Sequence, residues 1–253
     1  MSVINFENEN RKFIDSAGSF KVLEYQKDAS VTSVNAQTEY FMSKMNVKRR
    51  QLVYTLDGKN SLVMQAGAMQ WTLGNISIST GVKGAGDFMS KMFKGSVTGE
   101  SAVKPEYKGT GTVVFEPTYK HIILQDVSTW GKGMVVEDGM FLACDGTVKQ
   151  SIVARKNVSS AALGGEGLFN LALSGQGIVA LESRVPMVEL VEVQLNGEEL
   201  KIDGNFAVCW SAELDFTVEK ATKSLIGSTA SGEGLVNVYR GIGKVLMSPV
   251  SYT

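Results

Sequence analysis

The chain repeats itself. Gly109-Thr110-Gly111-Thr112-Val113, Gly175-Gln176-Gly177-Ile178-Val179 and Gly241-Ile242-Gly243-Lys244-Val245 carry one pattern, and the interval from Gly109 to Gly175 equals that from Gly175 to Gly241. A fixed period of this length marks one supersecondary unit copied in tandem, and it restricts the possible folds more than any local motif does. Upstream of each segment lies an acidic glycine turn: Gly99-Glu100-Ser101, Gly165-Glu166-Gly167-Leu168 and Gly232-Glu233-Gly234-Leu235, whose glutamates keep the same interval to within one position. Downstream come Pro117, Pro186 and Pro249, placed where a missing N–H and a fixed φ suit the end of a strand.

Earlier parts of the unit recur too. Leu56-Asp57-Gly58 is echoed by Leu195-Asn196-Gly197, and Gly67-Ala68-Met69-Gln70-Trp71 by Gly204-Asn205-Phe206-Ala207-Val208, with Gly139-Met140-Phe141-Leu142-Ala143 in the middle copy. These matches place modules at about 47–119, 120–186 and 187–253, behind an N-terminal extension of residues 1–46. The first module is expected to be lengthened by an insertion around Pro105 and Tyr107.

The modules read as all-β. Phe206, Val208, Trp210, Ala212, Leu214, Phe216 and Val218 alternate with smaller or polar residues, which predicts one long strand with a single apolar face. Such alternation fits an antiparallel sheet covered on one side. The 27 glycines among 253 residues exceed the usual share of about 7 %, so many tight turns between short strands are implied. The expected architecture is three similar all-β modules in a pseudo-threefold arrangement. Helical pattern is confined to Phe88, Met89, Met92 and Phe93.

Charge removes some functions. Lys plus Arg total 25 and Asp plus Glu 26, giving a net charge of −1, so there is no global field to attract polyanions and nucleic acid is an unfavoured partner. The densest cationic run, Lys48-Arg49-Arg50, is expected to be a solvated strand start. No window approaches the roughly 20 apolar residues of a membrane-spanning helix, and Glu7, Glu9 and Asp15 near the N-terminus do not suit a targeting peptide. A cytoplasmic location is expected.

No catalytic cluster is visible. His121 is the sole histidine, and imidazole chemistry at a metal or a nucleophile generally needs a second partner. Cys144 and Cys209, separated by the same interval as Gly139 and Gly204, are assigned to the same place in successive modules and read as buried thiols rather than nucleophiles. Arg240-Gly241-Ile242-Gly243-Lys244 lacks the Ser or Thr and the spacing of a phosphate loop. Glu100, Glu166 and Glu233 could form a symmetric set of hard-cation ligands or could each accept N–H bonds within their own turn. Gly109, Gly111, Gly175, Gly177, Gly241 and Gly243 are expected to be structural turn residues. Phe88, Met89, Met92 and Phe93, flanked by Lys91 and Lys94, suit a protein groove or membrane surface, or else a cover for the first module's core.

Ala66-Gly67-Ala68-Met69, Gly99-Glu100-Ser101, Gly165-Glu166-Gly167-Leu168-Phe169 and Ser174-Gly175-Gln176-Gly177-Ile178-Val179-Ala180-Leu181-Glu182-Ser183 resemble the altered-inheritance-of-mitochondria type 24 family over roughly residues 47–250. The resemblance implies a fold similar to the tryptophan RNA-binding attenuation protein, a β-sandwich or short double-stranded β-helix, repeated three times in one chain, and links mitochondrial members to inner-membrane organisation. Ser101, where the other copies have Gly167 and Gly234, departs from the pattern. The expected function is non-enzymatic scaffolding or assembly as a homo-oligomer, such as a trimer or ring, with no cofactor. Binding of a small ligand or RNA by fold analogy, and association with a membrane surface, stand as alternatives.

Overall fold

The computed structural model describes residues 3–81, 104–154, 169–220 and 235–250. They are mostly β: fifteen strands, one α-helix and two short 3-10 turns. No helix among them is long and apolar enough to cross a membrane.

Residues 1–46 contribute two of the strands. β1 (Arg11–Ala17) and β2 (Phe20–Tyr25) form a hairpin across Gly18, whose φ of +55° suits a residue without a Cβ. β2 pairs antiparallel with β3 (Arg50–Met64), from Phe20 opposite Tyr54 to Glu24 opposite Arg50. Phe20, Val22 and Leu23 are fully buried there. Helix α1 (Ala36–Lys44) follows, with no buried residue.

The remaining strands are β4 (Met69–Ser79), β5 (Glu106–Phe115), β6 (His121–Asp126), β7 (Met134–Val136), β8 (Phe141–Asp145), β9 (Lys149–Ala154), β10 (Phe169–Ser174), β11 (Ile178–Ser183), β12 (Val191–Asp203), β13 (Ala207–Ser211), β14 (Asp215–Lys220) and β15 (Leu235–Met247). One sheet runs β1-β2-β3-β8-β11-β6, with β5 joining β3 and β4 joining β5. The other runs β12-β15-β13-β7-β10-β9, with β14 joining β15.

The glycine signature has a steric cause. β3 and β12 each bend at an Asx-Gly pair, with Gly58 at φ +88° and Gly197 at φ +106°. At these bends the register against β5 jumps between Asp57 and Ser61, and that against β15 between Asn196 and Glu199. The first and third Gly-x-Gly pairs sit at the same level on the facing strands, and the middle pair, Gly175 and Gly177, links β10 to β11; all are at positive φ, from +99° at Gly175 to +157° at Gly243. A Cβ on Gly109 would lie 2.0 Å from the Asn75 carbonyl oxygen, and one on Gly111 2.0 Å from that of Leu73. No L side chain fits so close an approach.

Pairing patterns recur along the chain. Leu62, Val63 and Met64 of β3 face Asp145, Cys144 and Ala143 of β8. Met134, Val135 and Val136 of β7 face Ser211, Trp210 and Cys209 of β13. Register shifts also match between β4 and β5 at Met69/Trp71, between β8 and β11 at Ala180/Leu181, and between β13 and β15 at Ala207/Cys209. Each of the three larger core clusters crosses a proposed module boundary. The first joins Phe20, Leu52 and Tyr54 to Ala143 and Ala180; the second joins Trp130 and Leu173 to Val208 and Leu246; the third joins Val135 and Ala172 to Trp210 and Tyr239.

Three sequence expectations need correcting. The run from Phe206 to Val218 is two strands, β13 and β14, separated by a turn in which Leu214 N–H donates to the Ser211 carbonyl. All five residues of β13 are buried, because β7 and β15 flank it within a sheet whose two faces are covered. Tyr107 is no insertion residue but a core residue of β5 opposite Leu62. The extra length lies just before it, since the connection from β4 to β5, 80–105, is longer than those from β9 to β10, 155–168, and from β14 to β15, 221–234. Finally, Cys144 pairs with Val179 while Trp210 pairs with Val245, so Cys144 matches Trp210 and Cys209 matches Ala143.

Candidate functional site

Of the sequence candidates, Phe88, Met89, Met92, Phe93, Glu100, Glu166 and Glu233 lie outside the described residues. The glycines of the first and third pairs sit at strand crossings, and Gly175 and Gly177 link β10 to β11. Around Gly241 the cations are already engaged. Arg240 bonds Glu219 through both guanidinium nitrogens, at 2.6 and 3.0 Å, and also pairs with Glu199. These bonds hold the Glu219 carboxyl down at about 2. Lys244 sits 4.2 Å from the Trp130 ring centroid and 3.5 Å from Glu192. Neither cation is left to cradle a phosphate.

The densest polar constellation is one the sequence reading assigned to a solvated strand start. Lys48, Arg49 and Arg50 lead into β3, and the alternation of an extended chain sends the middle one to the opposite side. On one side, Arg50 Nη2 lies 2.7 Å and Lys48 Nζ 3.3 Å from the two oxygens of Glu24 on β2. Arg50 is only 5 % exposed, so this is an internal pair. Burial pushes the Glu24 carboxyl up, but Arg50, with Gln26 and Lys48 donating to it, outweighs burial and holds it below the ordinary value. His121 stands nearby at the start of β6; burial, followed by Arg50, lowers its pKa despite Glu24. It is a half-buried ring.

On the other side, Arg49 gathers the loop and helix that follow β2. Its Nη2 lies 3.0 Å from Asp28 Oδ2 and donates to Tyr119 Oη at 2.9 Å, while its guanidinium stands 5.2 Å from the Tyr119 ring centroid. Tyr119 in turn donates to the Glu39 carboxylate of α1 at 2.6 Å. Burial, then the bond to Glu39, raises the phenol's pKa and keeps it a donor. The arrangement clasps α1 to the body and borders an open pocket of about 330 Å³, with Tyr25, Tyr40, Tyr119, Asp28, Lys48 and Arg49 among its walls. Arg49 Nε is buried with no hydrogen-bond partner.

This chemistry binds and holds. Both thiols are buried and shifted up, Cys144 to about 12, by desolvation. Among the described residues no three His, Cys, Asp or Glu side chains gather to hold a metal. The signal for the clasp was available only as charge complementarity between Lys48-Arg49-Arg50 and the upstream acids Glu24, Asp28 and Glu39, a pattern without a period.

Positive-φ glycine pairs repeated along the chain, together with an internal ionic clasp, set the class: an all-β protein of recurring strand joints. The chain belongs to the mitochondrial biogenesis AIM24 family, whose model matches residues 43–250. An uncharacterized protein of Streptococcus pyogenes is 28 % identical over 204 residues, spanning 78 % of this chain and 79 % of that protein. A crystal structure of a Streptococcus pyogenes protein has the same fold, with a TM-score of 0.60 at 23 % identity over 95 % of this chain and 94 % of that one. The matched family region starts at residue 43, so the clasp joins family residues Lys48, Arg49, Arg50 and Tyr119 to Glu24, Asp28 and Glu39 outside it.

Proposed function

We propose that this protein is a non-enzymatic assembly protein of the cytoplasm, built from three like β modules, each akin to the attenuation-protein fold, in a pseudo-threefold arrangement left open between the third module and the first. Its work is to present strand edges and module surfaces to other macromolecules, first of all to further copies of itself. The observation that carries this reading is the repeated junction: β3 with β8 and β7 with β13 use the same residue spacing, a strand-to-strand joint the chain makes more than once. Native mass spectrometry across a dilution series tests it. Homo-oligomers that dissociate on dilution support the proposal, and a strict monomer at high concentration overturns it.

A second reading rests on the cavity beside Arg49. Its unpartnered Nε and three surrounding phenols suit a small planar ligand that offers a hydrogen-bond acceptor. A co-purified small-molecule mass, lost in Arg49→Met, supports that reading; its persistence in the variant counts against it. RNA as the ligand is opposed by the net charge of −1.

A further inference from the structure

The repeated junction has two ends. Within the chain, β3 offers an edge to β8, and β7 offers the corresponding edge to β13. The bonds that close both joints are also alike: Gln65 N–H donates to Leu142 O and Gly146 N–H to Ser61 O in the first, Glu137 N–H to Val208 O and Ala212 N–H to Gly133 O in the second. The pairings with β5, β10 and β15 then fix which residues correspond. Leu62, Met134 and Leu200 stand opposite Tyr107, Leu173 and Tyr239, so Leu200-Lys201-Ile202 of β12 matches Leu62-Val63-Met64 and Met134-Val135-Val136. On the receiving side, Thr72, Cys144 and Trp210 stand opposite Val113, Val179 and Val245. Trp71-Thr72-Leu73 of β4 therefore matches Ala143-Cys144-Asp145 and Cys209-Trp210-Ser211.

Among the described residues neither terminal edge is used: β12 pairs only with β15 and β4 only with β5. Glu199, Lys201 and Asp203 on one edge, and Gln70, Thr72 and Gly74 on the other, are all exposed. We infer that a second copy of this chain docks here head to tail, its β4 edge on the first copy's β12 edge. The register follows from the internal joints: Leu200 opposite Leu73, Lys201 opposite Thr72 and Ile202 opposite Trp71. Asp203 N–H then donates to Gln70 O, and Gly74 N–H to Glu199 O. This deepens the assembly reading and rests on it.

The central pair explains why the joint can stay open. Inside the chain it is Val63 with Cys144 and Val135 with Trp210, while at the ends it is Lys201 with Thr72. Polar side chains on an edge keep a lone copy soluble and make the joint between copies weaker than the internal ones. The contact is heterologous, so successive copies close into a ring or extend into a filament.

Two single-cysteine variants test it, Thr72→Cys and Lys201→Cys, both at exposed positions, with the native thiols too buried to interfere. Hydrogen-bonded antiparallel partners sit about 5.5 Å apart at Cα, within disulfide reach. On mixing and mild oxidation, the expected product is a disulfide dimer containing one of each variant. Oligomers without that crosslink overturn the register but leave assembly standing, and a monomer in native mass spectrometry overturns both. A disulfide formed only within one chain of the double variant shows closure of the chain on itself and also overturns the inference. Lys201→Pro, which removes an edge N–H, is expected to weaken self-association about tenfold, the equivalent of one hydrogen bond of about 1.4 kcal/mol, with an unchanged monomer melting midpoint.

Discussion

β3 and β12 follow the same course, a long strand with an Asx-Gly bend and a register jump against its partner, yet one is interior and the other peripheral. The first half of β3, Arg50 to Tyr54, is buried throughout, between β2 and β5. The first half of β12 keeps only Leu195 buried and has β15 as its sole neighbour among the described residues. The difference is the N-terminal hairpin. It covers one edge of β3 and, with the loop and helix that follow it, brings Glu24, Asp28 and Glu39 against the three cations that lead into the strand, whereas no described segment does the same ahead of Val191. Burial in this molecule is set by which neighbour a strand acquires, more than by its own pattern.

Removing the hairpin should erase the contrast. Deleting residues 1–27 exposes the edge of β3 and loses the burial of Phe20, Val22 and Leu23, roughly 2 kcal/mol each. That is on the order of a domain's entire stability, so loss of the cooperative unfolding transition is expected in thermal denaturation. Arg50→Met leaves the buried Glu24 with Lys48 as its one cation beside the Gln26 amide and is expected to cost about 3 kcal/mol by urea titration. A smaller, pH-dependent signature accompanies it. The Glu24 carboxyl is held below its ordinary 4.5, so its contribution is complete above that value and is lost as pH falls through the lower folded value. Glu24→Gln should therefore flatten the acid limb of the stability curve.

The glycine crossings sharpen the same comparison. Gly109→Ala drives a Cβ against the Asn75 carbonyl and is expected to cost about 3 kcal/mol. Gly241→Ala meets nothing closer than 3.7 Å, and only its φ is strained, so about 1 kcal/mol is expected. Equal losses would show that backbone strain, not strand approach, selects these glycines. Smallest of all, Glu219→Gln removes a partly exposed partner of Arg240 and should barely move the melting midpoint.

What was legible in the sequence was whatever steric constraint repeats. The evenly spaced Gly-x-Gly pairs and the Asx-Gly bends all hold a positive φ, and at Gly109 and Gly111 a backbone oxygen 2.0 Å from an added Cβ also bars any other residue. The all-β character followed from the same turns. The clasp was not legible, since its ion pairs join Lys48, Arg49 and Arg50 to acids on a separate hairpin, loop and helix, and pairing across such distances writes no period into the chain. The alternation from Phe206 to Val218 misled for a related reason: it persists through the Ser211–Leu214 turn, although the strand does not. The hairpin's own signal, Gly18 followed by Phe20 and Val22, was present but short.

The way the cores straddle module boundaries bears on how the chain is made. Emerging from a ribosome, the first core lacks Ala143 and Ala180 until most of the second module has been synthesised, and the middle core lacks Leu246 until the end of β15 is out. Neither of the first two modules can finish folding when its own last residue appears. The nascent protein therefore carries unpaired strand edges throughout elongation, and its consolidation is tied to the release of the final strand.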